Sequence, residues 1–183
     1  MPNFSFTFIV SGVDPHADNF EDRFFEAGCD DATLALINGA IAVCFDREDE
    51  DFTHAVVSAY GDVLKAGVSV DRFEPDYLVS QAEIAKRANL SRAAVSLYVS
   101  GERGAGFPLP HARVTSKSPL WDWVAVSAWL YRNDQLALTD VVTARVSRAI
   151  NFFIQNPDAH LQTGDKQLLR AMENFGREPV LAI

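Results

Sequence analysis

The chain has 183 residues, 48% of them apolar, and a net charge of −9, which provides for a packed core and argues against wholesale disorder. Its apolar runs are short and broken by charge, far below the roughly 20 residues of a membrane-spanning helix, so no membrane partner is expected. The charge is segregated: residues 1–76 hold 4 basic and 16 acidic side chains, 77–133 hold 7 and 3, and 134–183 hold 5 and 6, so an acidic total hides a basic middle able to face an anion.

The opening MPNFSFTFIVSGVDP lacks a basic leader and a small-residue cleavage pattern, and does not read as a signal peptide. Within it FSFTFIV, residues 4–10, alternates as a strand does. DNFEDRFFEAGCDD follows with Phe20, Phe24 and Phe25 at helical spacing and Gly28 as a stop. ATLALINGAIAVCFDR predicts two strands joined at Asn38-Gly39, where both positions tolerate positive φ. DFTHAVVSAYGDVLKAG predicts a second helix buried along Val56, Tyr60 and Leu64, and VSVDRFEP a fourth strand ending at Pro75. The order βαββαβ is that of a ferredoxin-like domain, whose sheet buries one face under two helices.

Three features of this acidic first part are expected to be structural. The run DREDED, Asp46–Asp51, reads as a solvated turn with acids favouring the N-terminus of the second helix. Cys29 and Cys44 have neither CxxC spacing nor a neighbouring histidine pair, and read as buried, reduced thiols of a cytoplasmic protein. His16, His54, His111 and His160 are too scattered for a metal site, and no nucleophile–base pair can be assembled. No enzyme activity and no cofactor or metal is therefore expected.

After Pro75 the pattern turns helical, with helices around Ser80–Ala88 and Ser91–Ser100. Ser80 with Glu83 spells a capping box. Ile84, Ala85 and Ala88 supply the inward face of the first helix, and small Ala85 allows steep crossing. Asn89 stands at the reversal because it tolerates a left-handed conformation. Leu90 plugs the corner and Ser91 caps the second helix, buried along Val95, Tyr98 and Val99. Arg92, Ala93, Ser96 and Leu97 are left outward. Small side chains let a backbone approach the DNA major groove, and arginine can grip guanine bidentately.

GERGAGFPLP, Gly101–Pro110, is not a dinucleotide fingerprint, since its G-x-x-G-x-G spacing follows a helix rather than a strand. With HARVTSKSPLWDW it predicts a short β-hairpin carrying His111, Arg113 and Lys117, with Arg103 just before it. Basic hairpin tips of this kind meet phosphates or the minor groove. Asp122 is placed to cap a helix from about Trp123 to Tyr131, which packs through Val126, Trp129 and Leu130. Trp121, Trp123 and Trp129 read as core rather than as base-stacking platforms. A longer helix over Thr139–Gln155, with a stripe of Val142, Val146, Ile150 and Phe153, stops at Asn156-Pro157. A last one lies near Asp165–Phe175, and Arg145, Arg148, Lys166 and Arg170 on these helices read as solvated.

The helix pair, FPLP, the short basic hairpin and LWDWVAVSAWL together resemble the winged helix-turn-helix proteins of the MerR-like excisionase group, and are similar to prophage AlpA-type regulators over residues 78–131. The resemblance implies sequence-specific binding of double-stranded DNA. It places Ser91, Arg92, Ala93 and Ser96 in a recognition helix and Arg103 and Lys117 at the wing. Gln81, Lys86, His111 and Arg113 complete the candidate DNA-binding set. The expected organisation is α+β: a ferredoxin-like domain over 1–76, a winged helix-turn-helix over 77–133, and a C-terminal helical extension over 134–183. The expected function is a transcriptional regulator acting as a homodimer, whose first domain dimerises or binds a protein partner or small ligand. The alternatives are an excisionase-like architectural factor for recombination and an interaction or ligand-sensing module with a vestigial helix-turn-helix.

Overall fold

A computed structural model of the chain describes residues 1–156. The described residues form two compact units, Met1–Pro75 with residues 149–156, and Asp76–Arg148.

The first unit runs β1 (Asn3–Ser11), α1 (Phe20–Glu26), β2 (Ala32–Ile37), β3 (Ala40–Glu48), α2 (Phe52–Lys65) and β4 (Ser69–Glu74). Its sheet is antiparallel throughout in the order β2-β3-β1-β4. The period of two puts Phe6, Phe8 and Val10 of β1 in register with Phe45, Val43 and Ile41 of β3, and Phe8 with Phe73 of β4. These side chains are buried, and they meet α2 through Phe8 against Tyr60 and Phe6 against Phe52 at ring-centroid distances of 5.9 and 6.0 Å. At the β2–β3 turn Asn38 and Gly39 both take positive φ, 52° and 82°, the geometry that matches a two-residue turn to strand twist.

Two expectations change here. Leu64 is exposed: the buried stripe of α2 is Phe52, Ala55, Val56, Ala59, Tyr60 and Val63, which rotates position 64 outward. The acidic run is only in part a solvated turn: Asp46, Glu48, Glu50 and Asp51 are exposed, but Arg47 and Asp49 are not. β3 extends through Glu48, Arg47 and Asp49 are each 8% exposed, and only Asp51 acts at the helix start, accepting from the His54 amide. The period of two explains it, because Arg47 falls on the same sheet face as Phe45 and Val43. Its guanidinium donates to Asp31, Asp62, the Ser58 hydroxyl and the Gly28 carbonyl.

The free edge at β4 is closed from far along the chain. The Asn151 carboxamide accepts from the Phe73 amide at 3.0 Å and donates to the Phe73 carbonyl at 2.9 Å, as the peptide of a neighbouring strand would.

The second unit contains β5 (Leu78–Val79), α3 (Gln81–Arg87), α4 (Arg92–Val99), β6 (Trp121–Asp122), α5 (Trp123–Arg132) and the larger part of α6 (Leu138–Gln155). Its core joins Val79, Ile84, Ala85, Val95 and Tyr98 to Trp121, Trp123, Val124, Val126, Trp129 and Leu130. Ala144 belongs to the same core and Leu136 packs on it, so residues 134–148 are part of this unit rather than a separate extension. On α6 the buried apolar positions are Val141, Ala144, Val146, Ala149, Ile150 and Phe153, with Val142 only half-buried. The helix expected near Asp165–Phe175, with Lys166 and Arg170, lies outside the described residues. No helix among the described residues is long and apolar enough to cross a membrane.

Candidate nucleic-acid interface

The capping box, the left-handed turn and the second cap expected around α3 and α4 are present. The Ser80 hydroxyl accepts from the Glu83 amide while the Glu83 carboxylate accepts from the Ser80 amide, a reciprocal cap. Burial alone would raise the Glu83 pKa; the hydrogen bonds from Ser80 and the charges of Arg87 and Lys86 outweigh it, so the carboxyl titrates below its ordinary value. Asn89 takes φ 52°, and the Leu90 amide reaches back to the Ala85 carbonyl at 2.8 Å. The Ser91 hydroxyl then accepts from the Ala94 amide and starts α4.

Helix α4 buries Val95 and Tyr98, three residues apart, and presents Arg92, Ala93, Ser96 and Leu97 to solvent. Val99, expected inside, is exposed, because the helix ends there and Tyr98 takes the inward position. The stretch beyond α4 folds back on the unit core. Phe107 stacks on Tyr98 at 5.8 Å and meets Trp129 edge-on at 5.1 Å. Trp129 Nε1 donates to the Ala105 carbonyl and Trp121 Nε1 to the Pro108 carbonyl, so the three tryptophans are buried parts of the core. Gly104 is where this return is tightest. Its φ is 70°, and a Cβ there would lie 2.7 Å from the Trp129 ring and 3.1 Å from Tyr98.

The expected hairpin is reduced to a single antiparallel bridge between Ala112 and Leu120, with the His111 amide also donating to Leu120. Pro108, Pro110 and Pro119 lack the amides that a longer ladder needs on its two limbs. The returning segment pairs elsewhere: Trp121–Asp122 form β6 against β5. Between the bridge limbs the loop turns at Arg113, whose φ is 52° and whose carbonyl accepts from the Ser116 amide.

The candidate side chains are therefore distributed as follows. Lys86 and Arg92 line one open cleft of about 560 Å³ between α3 and α4, together with Ala82, Glu83, Asn89 and Leu90. Gln81 is half-buried in the first turn of α3, and Ser91 spends its hydroxyl on the cap. Ala93 and Ser96 are exposed on α4, and His111, Arg113 and Lys117 are exposed along the bridge loop. Arg103 does not stand on the loop: its amide donates to Leu97 and its guanidinium lies over the Tyr98 ring, 5.6 Å from the centroid. Lys86, Arg92, Arg113 and Lys117 make no ion pair among the described residues.

Two cations expected to be solvated are not available to an anion on the same terms. Arg145 is buried, and Arg148 donates to Asp122 at 2.8 Å while Asp122 also accepts from the Val124 amide at the start of α5. Asn89, expected only to turn the chain, also lines both this cleft and a second one with Arg87, Asp134, Gln135 and Asp140. The signal available was its place at the apex of two crossing helices, which leaves a polar side chain between them.

Cys29 is buried, and desolvation, reinforced by the negative charge of Asp62, pushes its thiol up to about 11, the wrong direction for a nucleophile. Among the described residues no group of three or more His, Cys, Asp or Glu side chains is arranged to hold a metal ion. No protein-family model, curated protein or solved structure matches the chain.

Proposed function

We propose that this protein is a sequence-specific, double-stranded DNA-binding regulator that reads its site with α4. The observation that carries the reading is the α3–α4 pair: two capped helices crossing at a left-handed Asn89, with Arg92, Ala93 and Ser96 outward on the second and Lys86 on the first. Small side chains beside one arginine suit close approach to base edges, whereas Lys117 and Arg113 on the adjoining loop suit the phosphate backbone. The β5–β6 pairing and the Ala112–Leu120 bridge fit a wing shortened by its prolines. In the first unit, the order βαββαβ with strands arranged β2-β3-β1-β4 is what a ferredoxin-like domain requires. Its excess of carboxylates repels a polyanion, which assigns it to dimerisation or partner binding rather than to DNA. One small recognition helix contacts few base pairs, so two copies on adjacent half-sites are expected. The free thiols at Cys29 and Cys44 suit a cytoplasmic location.

The test is a selection of genomic fragments by the purified full chain, followed by titration of the enriched sequence and a scrambled duplex. Arg92→Ala is expected to cost about 1–3 kcal/mol on the enriched sequence and to erase its advantage over the scrambled one. Lys117→Ala is expected to weaken both duplexes alike and to lower the salt slope by about 1. No enrichment by the wild-type chain, or enrichment that Arg92→Ala leaves intact, refutes the reading.

A further inference from the structure

The two edges of the first unit's sheet are built differently, and the difference points to a partner for one of them. The β4 edge is defended. It carries Asp71, Arg72 and Glu74, it faces a register shift between Ile9 and Val10, it runs into Pro75, and Asn151 takes both backbone groups of Phe73. These are the devices that stop strands from pairing edge to edge. The β2 edge has none of them. ATLALI contains no charge, no proline and no bulge in its register with β3.

The backbone of β2 follows from its hairpin. Ile37 and Ala40 flank a two-residue turn and exchange both hydrogen bonds, so the alternate residues Leu34 and Leu36 aim their amides and carbonyls away from β3. Among the described residues no backbone group takes them. The side chains of Ala32, Leu34 and Leu36 stand opposite Phe45, Val43 and Ile41, on the buried face of the sheet. Yet Leu36 is 54% exposed, because the apolar face continues past the last strand with none of the described residues covering it. Phe25, 69% exposed on α1, joins Leu34, Phe24 and Cys29 and the acidic Glu21 and Asp30 around a cleft of about 320 Å³.

We infer that β2 pairs antiparallel with β2 of a second copy of this chain, continuing the sheet from four strands to eight across a two-fold axis at Ala35. In that register Leu34 of each copy exchanges both backbone hydrogen bonds with Leu36 of the other. Each exposed Leu36 then falls beside the other copy's Leu34, which lines the cleft with Phe25. At this register the paired strands themselves oppose no like charges. Asp30 and Asp31 of one copy fall opposite Ala40 and Gly39 of the other, so no carboxylate faces a carboxylate across the pair even though residues 1–76 carry 16 acidic side chains. A basic partner strand would find no charge along β2 to recognise. The inference rests on the sheet alone, and its test uses no DNA.

The measurements are sedimentation velocity of the full chain at a series of concentrations and hydrogen exchange of the Leu34 and Leu36 amides. The wild-type chain is expected to be dimeric, with both amides slowing as the dimer fills. Leu36→Pro removes one outward amide without touching a β2–β3 bond, and Leu36→Lys places like charges across the seam. Each occurs twice per interface, so either is expected to weaken the dimer by at least about 100-fold, with Leu36→Val remaining dimeric. Circular dichroism confirms the fold of each variant, and Leu36→Lys stands in if the proline variant does not fold. A monomeric wild-type chain overturns the inference. Slow Leu34 and Leu36 exchange in that monomer would mean that the chain's own residues beyond 156 occupy the edge. A dimer indifferent to both substitutions also overturns it and moves the interface elsewhere.

Discussion

Replacing Gly104 by alanine separates two physical costs that the structure places at one residue. At φ 70° an L-residue loses roughly 1–2 kcal/mol relative to glycine, of which about 0.4–1 is returned because alanine restricts the unfolded chain. The added Cβ also lies 2.7 Å from the Trp129 ring, and that ring has little room to yield. It is buried, hydrogen-bonded to the Ala105 carbonyl, and held edge-on by Tyr98 and Phe107 at 5.1 Å each. Overpacking of this kind costs about 1–3 kcal/mol, for a total of about 2–4 kcal/mol. Gly106, at φ 75° with nothing within 4 Å of an added Cβ, supplies the control, with an expected loss of about 1 kcal/mol or less. The assay is urea unfolding followed by tryptophan fluorescence. Trp121, Trp123 and Trp129 all lie in the second unit, so the signal reports that unit alone. A Gly104→Ala loss no larger than that of Gly106→Ala would refute the claim that the Gly104 approach to Trp129 organises this segment.

Arg47→Met should destabilise the first unit by about 3–5 kcal/mol, because it leaves Asp31 and Asp62 facing each other without their shared cation, and Arg47→Lys should recover only part of the loss, having no planar fork to reach both; far-UV circular dichroism melts check both. The hydrogen bond to Asp49 dominates at His54 and raises its pKa above 6.5. A raised folded pKa gives stability that is complete below about 6.5 and fades as pH rises through the folded value. Unfolding midpoints between pH 6 and 8 should therefore fall with pH more steeply in the wild type than in His54→Gln. The effect should be small, since the imidazole is largely exposed, and an unchanged slope in the variant would remove His54 as its source.

The elements that could be read from the chain are those whose cause is local. The capping box at Ser80, the left-handed Asn89 and the Asn38-Gly39 turn each follow from one or two residues, and each is where it was expected. Errors gathered where the cause is distant. Arg47 looked like part of an acidic, solvated run because its partners Asp31 and Asp62 lie 16 and 15 positions away. Arg148 looked solvated because Asp122 sits 26 residues earlier on another element. The bridge loop followed a third rule: its aromatic anchors were legible, but three prolines deprived it of the ladder that its basic residues suggested. In the candidate interface, Lys86 and Arg92 come together at the α3–α4 cleft, while the Arg103 guanidinium lies over the Tyr98 ring.

The Asn151–Phe73 pair also bears on how the protein is made. The two residues are 78 positions apart, and ribosomes add about 5–20 residues per second. For about 4–16 s after Phe73 is synthesised, the β4 edge has no carboxamide to close it. The first unit thus begins life with a sheet open on both sides and reaches its final form only after the whole of the second unit has been translated. A nascent chain stalled in that interval exposes a strand edge that the finished protein conceals.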